Sequence, residues 1–486
     1  MGKILGQLQP QRVWELFEEI CGIPRPSKKE GKILAWLTEF AKNHKLDYQR
    51  DQVGNMLIRK PASKGHERKR ILVLQSHVDM VCEKNADVTH DFDKDPIRPF
   101  IDGDWVKAKG TTLGADNGIG MAFMLAVLES EELEHGPLEC LFTVDEETGL
   151  TGAFGLEPDF LKGRLLLNLD SEDDAELCIG CAGGLDSIAT FQYDRVNNET
   201  DHTAFKLSVG GLKGGHSGDD INKGRGNAIK ILTRMLWNCE RMFEMRLAQI
   251  DGGNLRNAIA REAFAIITVP QKFQKDFQAK IKEYANDISF EQKANEPGLK
   301  IILHETVMPE CLIDYSSQSR LLGALYGCPH GVIGMSPDIP GLVETSTNLA
   351  SVKMTSNNII VATSQRSSVA TLKRDVADMV SSVFQLAGAK VRHGEGYPGW
   401  TPNMKSEMLF LMKTRYRELF GEDPHVLAIH AGLECGLIGE KYPGMDMISF
   451  GPTMKGVHSP DEKLNIPSVK KSWDLIVEVL KGVPEE

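Results

Sequence analysis

No stretch of this chain reaches the ~20 consecutive apolar residues that a membrane-crossing helix needs. The opening Met1-Gly2-Lys3-Ile4-Leu5-Gly6 has no apolar core of a signal peptide and no Ser or Thr at position 6 for myristoylation. Basic residues are in deficit: 56 Lys and Arg stand against 68 Asp and Glu, a formal net charge of −12 over 486 residues. Such a surface repels phosphate backbones and anionic membranes, so neither nucleic acid nor membrane is expected as a partner. The densest basic stretch, residues 60–70, has no interleaved aromatics and reads as a solvated loop. The nine cysteines are scattered and odd in number, which suits reduced thiols in the cytoplasm. Cys178 and Cys181 form a C-x-x-C, but no second pair completes a zinc site; they read as buried thiols ahead of Gly183-Gly184.

Hydrophobic residues make up 41% and charged residues 26%, which excludes a disordered or fibrous chain. The length suits two large domains or three smaller ones. In the first third, helical periodicity (Val13, Leu16, Phe17, Ile20; then Ile33, Trp36, Leu37, Phe40; then Met121, Met124, Leu125, Leu128) alternates with apolar runs at 71–75, 138–144 and 165–169. Continuous apolar strands between helices predict a mixed, mostly parallel sheet covered by helices on both faces, an α/β fold. After Gly183-Gly184 the strands gain one polar face (205–209, 263–269, 359–363), with helical patterns at 228–242, 273–285 and 367–386. This predicts an α+β insertion, long enough for two similar halves. From Gly396 the first texture returns, with a helix at 404–420, strands at 426–429 and 447–450, and a helix at 469–480. The expected organisation is one catalytic domain made of residues 1–184 and 395–486, interrupted by an inserted domain at 185–394.

Imidazole and carboxylate groups gather where strands of the first domain should end. His77 and Asp79 follow the first apolar run, Asp116 opens a helix, Asp145-Glu146-Glu147 closes the second run and Asp170 closes the third. Taken singly each has an ordinary structural explanation: a capped loop, a turn and helix cap, a solvated turn. Ligands of open α/β sheets bind outside the carboxyl ends of the strands, however, and all four would converge there. Histidine with carboxylates and no thiolate suits Zn²⁺, Mn²⁺ or Co²⁺.

Five segments together resemble one family. They are His77-Val78-Asp79-Met80-Val81, residues 110–120 (Gly-Thr-Thr-Leu-Gly-Ala-Asp-Asn-Gly-Ile-Gly), Asp145-Glu146-Glu147-Thr148-Gly149, Gly214-Gly215-His216-Ser217-Gly218, and residues 456–462 (Gly-Val-His-Ser-Pro-Asp-Glu). The chain is similar, nearly end to end, to the aminoacyl-histidine dipeptidases, carnosinase-like members of the di-zinc peptidases that also include aminoacylases and carnosinases. The resemblance implies two divalent ions, zinc first. His77 and Asp170 would hold one, Glu147 and His458 the other, with Asp116 bridging. Asp79 would orient His77, and Glu146 would be the general base. It also makes the insertion a lid, in which His216 stabilises the oxyanion while Asn257 and Arg366 bind the substrate backbone and carboxylate. Glu434 would anchor the substrate amine. Asp145 departs from the neutral residue of many members; the turn that follows favours Glu146 and Glu147 as the working pair.

The implied activity is metal-dependent hydrolysis of unblocked dipeptides such as β-Ala-His, in the cytoplasm, by a homodimer joined through a lid that closes over its substrate. The alternatives are an N-acyl-amino-acid deacylase or carboxypeptidase of the same clan and, in a different class, a metal-free binding or scaffold protein on the same fold.

Overall fold

The computed structural model describes residues 4–485, which form two compact units. Unit one comprises Met1–Gly180, Pro402–Ala428 and Leu433–Glu486; unit two comprises Cys181–Thr401 and Ile429–Gly432. Among the described residues no helix is long and apolar enough to cross a membrane, and none of the nine cysteines is in a disulfide.

Unit one is built on an eight-stranded sheet. Its order is Asp47–Arg50, Met56–Lys60, Leu138–Thr143, Leu72–His77, Leu165–Asn168, Asp446–Ser449, Glu176–Cys181, His425–Ile429. The central strands Leu138–Thr143, Leu72–His77, Leu165–Asn168 and Asp446–Ser449 are mutually parallel. Every residue of the first three is buried, as both-face coverage requires. The helix Gln11–Cys21 buries Val13, Leu16, Phe17 and Ile20 completely. The helix Ala115–Glu129 is apolar almost all round and runs through the interior, the expected place for a helix without a polar face. Asp116 (φ −79°, ψ 108°) and Asn117 (φ −108°, ψ 37°) have non-helical backbone angles, so Asp116 sits in the loop that leads into the regular helix. A separate four-stranded sheet, Met454–Lys455, Lys463–Asn465, Trp105–Ala108, Pro99–Asp102, has strands too short to announce themselves in the sequence.

Unit two carries a sheet in the order Lys300–Glu305, His202–Gly210, Ala263–Pro270, Arg246–Gly252, Val343–Met354, Asn358–Ser367, Gly183–Gln192, Lys390–His393. The ninth strand, Gly331–Met335, pairs with Val343–Met354. Read along the chain, the first four form β-α-β-β-α-β with the helices Ala228–Phe243 and Gln274–Gln292, in spatial order 4-1-3-2. The other four repeat that order with Tyr315–Gly327 and Ala370–Leu386. Two pairs, Asp251 with Lys353 and Gly252 with Val352, join the halves. Alternate residues of each strand feed one helix-covered core: Phe205, Leu207 and Val209 beside Ala265, Ile267 and Val269.

Backbone pairing explains where unit two begins and ends. Cys181 and Trp400 exchange two hydrogen bonds of 2.9 Å, and Gly184 and Tyr397 exchange two of 3.1 and 2.9 Å. The approach is close enough that a Cβ on Gly183 would fall 2.4 Å from the Gly399 nitrogen, and one on Gly184 2.5 Å from the Tyr397 ring. Residues 395–401 are thereby held within unit two. Ile429 and Ala431 join them by accepting from the Ala182 amide.

Candidate metal centre

The register of unit one's parallel strands places their carboxyl ends side by side. His77 pairs with Thr143, and Gln75 with Asn168. The chain beyond each strand therefore delivers His77, Asp79, Glu146, Glu147 and Asp170 to one edge, and the non-helical entry to Ala115–Glu129 adds Asp116. His458 enters on the turn after Met454–Lys455, at φ +60°.

Two overlapping triads result. His77, Asp116 and Asp170 offer ligand atoms within 4.8 Å of one another, and so do Asp116, Glu147 and His458. Asp116 is shared by opposite oxygens: Oδ1 lies 3.0 Å from His77 Nε2, and Oδ2 lies 3.1 Å from His458 Nε2. His77 Nε2 is also 3.3 Å from Asp170 Oδ1, and His458 Nε2 is 3.0 Å from Glu147 Oε2. His77, Glu146 and Glu147 form a third convergent group.

Beneath His77, Asp79 is fully buried. Its Oδ1 faces His77 Nδ1 at 3.3 Å and accepts from the Glu146 amide at 3.0 Å. Its Oδ2 accepts from Ser27 Oγ at 2.7 Å and from the Glu147 amide at 3.2 Å. One carboxylate thus orients the imidazole and the backbone of both glutamates. Asp145 turns the other way: it accepts from the hydroxyls of Thr148 and Thr151, pinning the turn that leads into Thr151–Gly155.

Burial and crowding set the charges. Burial would raise the Asp79 carboxyl, but the His77 imidazole and the Ser27 hydroxyl hold it at about 2. Burial pushes the Glu146 carboxyl well above the usual range, and the nearby Asp170, Glu434 and Glu147 charges push the same way. His458 is lifted to about 11 by its contacts with Asp116 and Glu147. Glu434, fully buried, accepts through Oε2 from Gln75 Nε2 at 2.6 Å and Thr143 Oγ1 at 2.8 Å; burial raises it to about 7.

The donors fit divalent cations. Nitrogen and carboxylate oxygen converge without a thiolate, and the imidazoles sit between carboxylates where a cation takes the place of a proton. Among the described residues Glu147 Oε1 is buried with no hydrogen-bond partner, a ligand atom left over.

Residues 73–482 match the profile described as peptidase family M20/M25/M40. The chain belongs to this peptidase family. It is 45% identical over 480 residues, 99% of both chains, to a protein named cytosol non-specific dipeptidase in Escherichia coli (strain K12). It is likewise 45% identical to the aminoacylhistidine dipeptidase of Vibrio alginolyticus, whose crystal structure superposes with a TM-score of 0.94 over 99% of this chain and 98% of that one. A tripeptidase from Staphylococcus aureus shares the fold alone, at 17% identity and a TM-score of 0.57, with 98% of this chain and 99% of that one covered.

Unit two holds the remaining M20-type candidates. Arg366, on Asn358–Ser367, is 6% exposed. It donates to Ser217 Oγ at 3.2 Å and Tyr397 OH at 2.9 Å, and its Nη2 lies 3.3 Å from His216 Nε2. His216 Nδ1 is 3.0 Å from Asp219 Oδ2, an acid held below its ordinary value by that contact. Asn257 is exposed, and its carbonyl accepts from the Ser217 amide at 2.8 Å. Sequence reasoning passed over Ser217, although it lies inside the Gly-Gly-His-Ser-Gly motif. It also missed Tyr397, which has no motif around it. His430 Nε2 is hydrogen-bonded to Ser346 Oγ at 2.7 Å, and burial, with the nearby Arg366 charge, lowers the imidazole to about 4.

Proposed function

We propose that the protein is a cytoplasmic metallo-dipeptidase that hydrolyses unblocked dipeptides with two divalent ions. The observation that carries this is the sharing of Asp116, one oxygen toward each triad. His77, Asp116 and Asp170 would hold one ion, and Asp116, Glu147 and His458 the other. Such ions supply Lewis-acid activation of water and of the scissile carbonyl.

The chain's own groups then have defined work. Asp79 fixes the His77 ring and the backbone of Glu146 and Glu147. Glu146, its proton affinity raised by burial, takes a proton from the attacking water and passes it to the leaving amine. His216 donates to the oxyanion. Arg366 has only Ser217, Tyr397 and His216 as hydrogen-bond partners among the described residues, so its guanidinium is available for a carboxylate. Asn257, exposed beside Ser217, binds the substrate backbone. Among the described residues Glu434 Oε1 is buried without a donor, and a substrate ammonium would supply one. A group for each charged end of a dipeptide supports an exopeptidase. Zinc as the ion and dimerisation through unit two are supported by the family resemblance.

The test is a comparison of substrates. Gly-His and β-Ala-His should be cleaved efficiently, while N-acetyl amino acids and tripeptides should be poor. Preference for the N-acetyl compounds would make the protein a deacylase instead.

A further inference from the structure

Glu462 lies four residues beyond His458 and is 2% exposed. Its Oε2 accepts from the amides of Leu113 and Gly114 at 2.7 and 2.9 Å, and its Oε1 from those of Ala115 and Asp116 at 2.7 and 3.4 Å. Four successive amides in the loop that leads into a helix thus close on one carboxylate, the arrangement that backbone uses to hold anions. The anion here belongs to the protein itself. The loop it grips is the one that carries Asp116.

The same loop is held from its carbonyl side. Arg25, 1% exposed, donates to the carbonyls of Val78 at 3.0 Å, Asp79 at 2.6 Å and Gly114. A Cβ on Gly114 or Gly118 would lie 2.6 or 2.8 Å from its guanidinium, so both glycines make room for it. Arg25 therefore ties the Asp116 loop to the His77–Asp79 loop, and Glu462 ties it to the His458 turn. The need is unequal. His77 is 1% exposed and packed, whereas the His458 side chain is 52% exposed and stands on a turn at φ +60°. That turn closes on itself through Ser459 Oγ to the Gly456 carbonyl and the Glu462 amide to the Ser459 carbonyl. Its hold on the Asp116 loop is the Glu462 carboxylate.

We propose that Glu462 is a positioning residue for the second triad: by docking the 456–462 turn on the amides of residues 113–116, it sets His458 against Asp116 and so governs the cation that Asp116, Glu147 and His458 share. This rests on the two-cation assignment above. A residue that acts only on overall stability would weaken both triads alike. Glu462 should weaken one.

The test is titration of the full-length protein with Co²⁺ alone, followed by visible absorbance and by competition with a chelator, in the wild type and in Glu462→Gln. The wild type should bind two ions per chain. Glu462→Gln, nearly the same shape but without the charge, should keep one ion at wild-type affinity and bind the other roughly 10–100-fold more weakly, with an altered Co²⁺ spectrum. If the variant does not fold, Glu462→Asp, which keeps the charge on a shorter arm, is judged by the same selective weakening. Two unchanged affinities, or two affinities lowered together, would overturn the proposal. A wild type that binds fewer than two ions would instead overturn the two-cation assignment on which it stands.

Discussion

Replacing Asp79 by Asn tests how much of the centre is set from below. The side chain keeps its size but loses one acceptor oxygen. Each carboxylate oxygen now serves two groups, Oδ1 the Glu146 amide and the His77 ring, Oδ2 the Ser27 hydroxyl and the Glu147 amide. An Asn amide can replace only one of these oxygens with an acceptor. Whichever way it turns, its NH₂ faces a backbone N–H, and one glutamate amide is left buried and unpaired. An unmade buried hydrogen bond costs about 1–3 kcal/mol. At 1.4 kcal/mol per factor of ten, that is a loss of roughly 5–150-fold. The cost falls on the geometry of His77, Glu146 and Glu147, so it should appear in cation affinity and in kcat/KM. Chelator competition with Zn²⁺ measures the first, and dipeptide turnover at saturating Zn²⁺ measures the second. An Asp79→Asn protein within two-fold of wild type in both would refute the reasoning.

The acidic triplet can be separated by chemistry: Glu146→Gln should keep both ions and lose roughly 10²–10⁴-fold in kcat, whereas Glu147→Gln should lose an ion as well, and the reverse pattern would mean the triplet is read out of register. Arg366→Ala should raise KM for dipeptides by roughly 10–150-fold, the worth of a charged hydrogen bond at about 1.5–3 kcal/mol, and should leave KM for dipeptide amides nearly unchanged. His458, lifted to about 11 by Asp116 and Glu147, binds a proton in the metal-free chain at neutral pH. Its stabilising contact there is complete below the ordinary histidine value of ~6.5 and is lost as pH rises through about 11. A cation must displace that proton, so Zn²⁺ uptake at pH 7 should release protons and tighten as pH rises; calorimetry in buffers of different ionisation enthalpy would show no buffer dependence if the assignment is wrong.

Much of the centre is legible in the sequence because it hangs on strand ends. His77, Glu146, Glu147 and Asp170 each follow a run of buried apolar residues, and parallel pairing in register brings such ends together by geometry alone. His458 and Asp116 are recognisable only as parts of motifs, since neither follows a central strand. The groups that hold the centre in place are less visible. Arg25 stands between Pro24 and Pro26 with nothing to mark it, and its partners are backbone carbonyls 53, 54 and 89 residues away. Tyr397 meets Arg366 across 31 residues with no periodicity between them. The inserted unit's strands show their polar face in the sequence, but their 4-1-3-2 order comes from long-range pairing that no local pattern encodes.

The central claim is two cations at His77, Asp116, Asp170, Glu147 and His458 driving dipeptide hydrolysis. Metal analysis of the purified protein, with Gly-His turnover measured before chelation, after it and after readdition of Zn²⁺, tests it most directly. The structure predicts two ions per chain, activity abolished by chelation and restored as two equivalents return. Undiminished Gly-His cleavage by the metal-free protein, or restored activity in an Asp116→Ala chain, would contradict it.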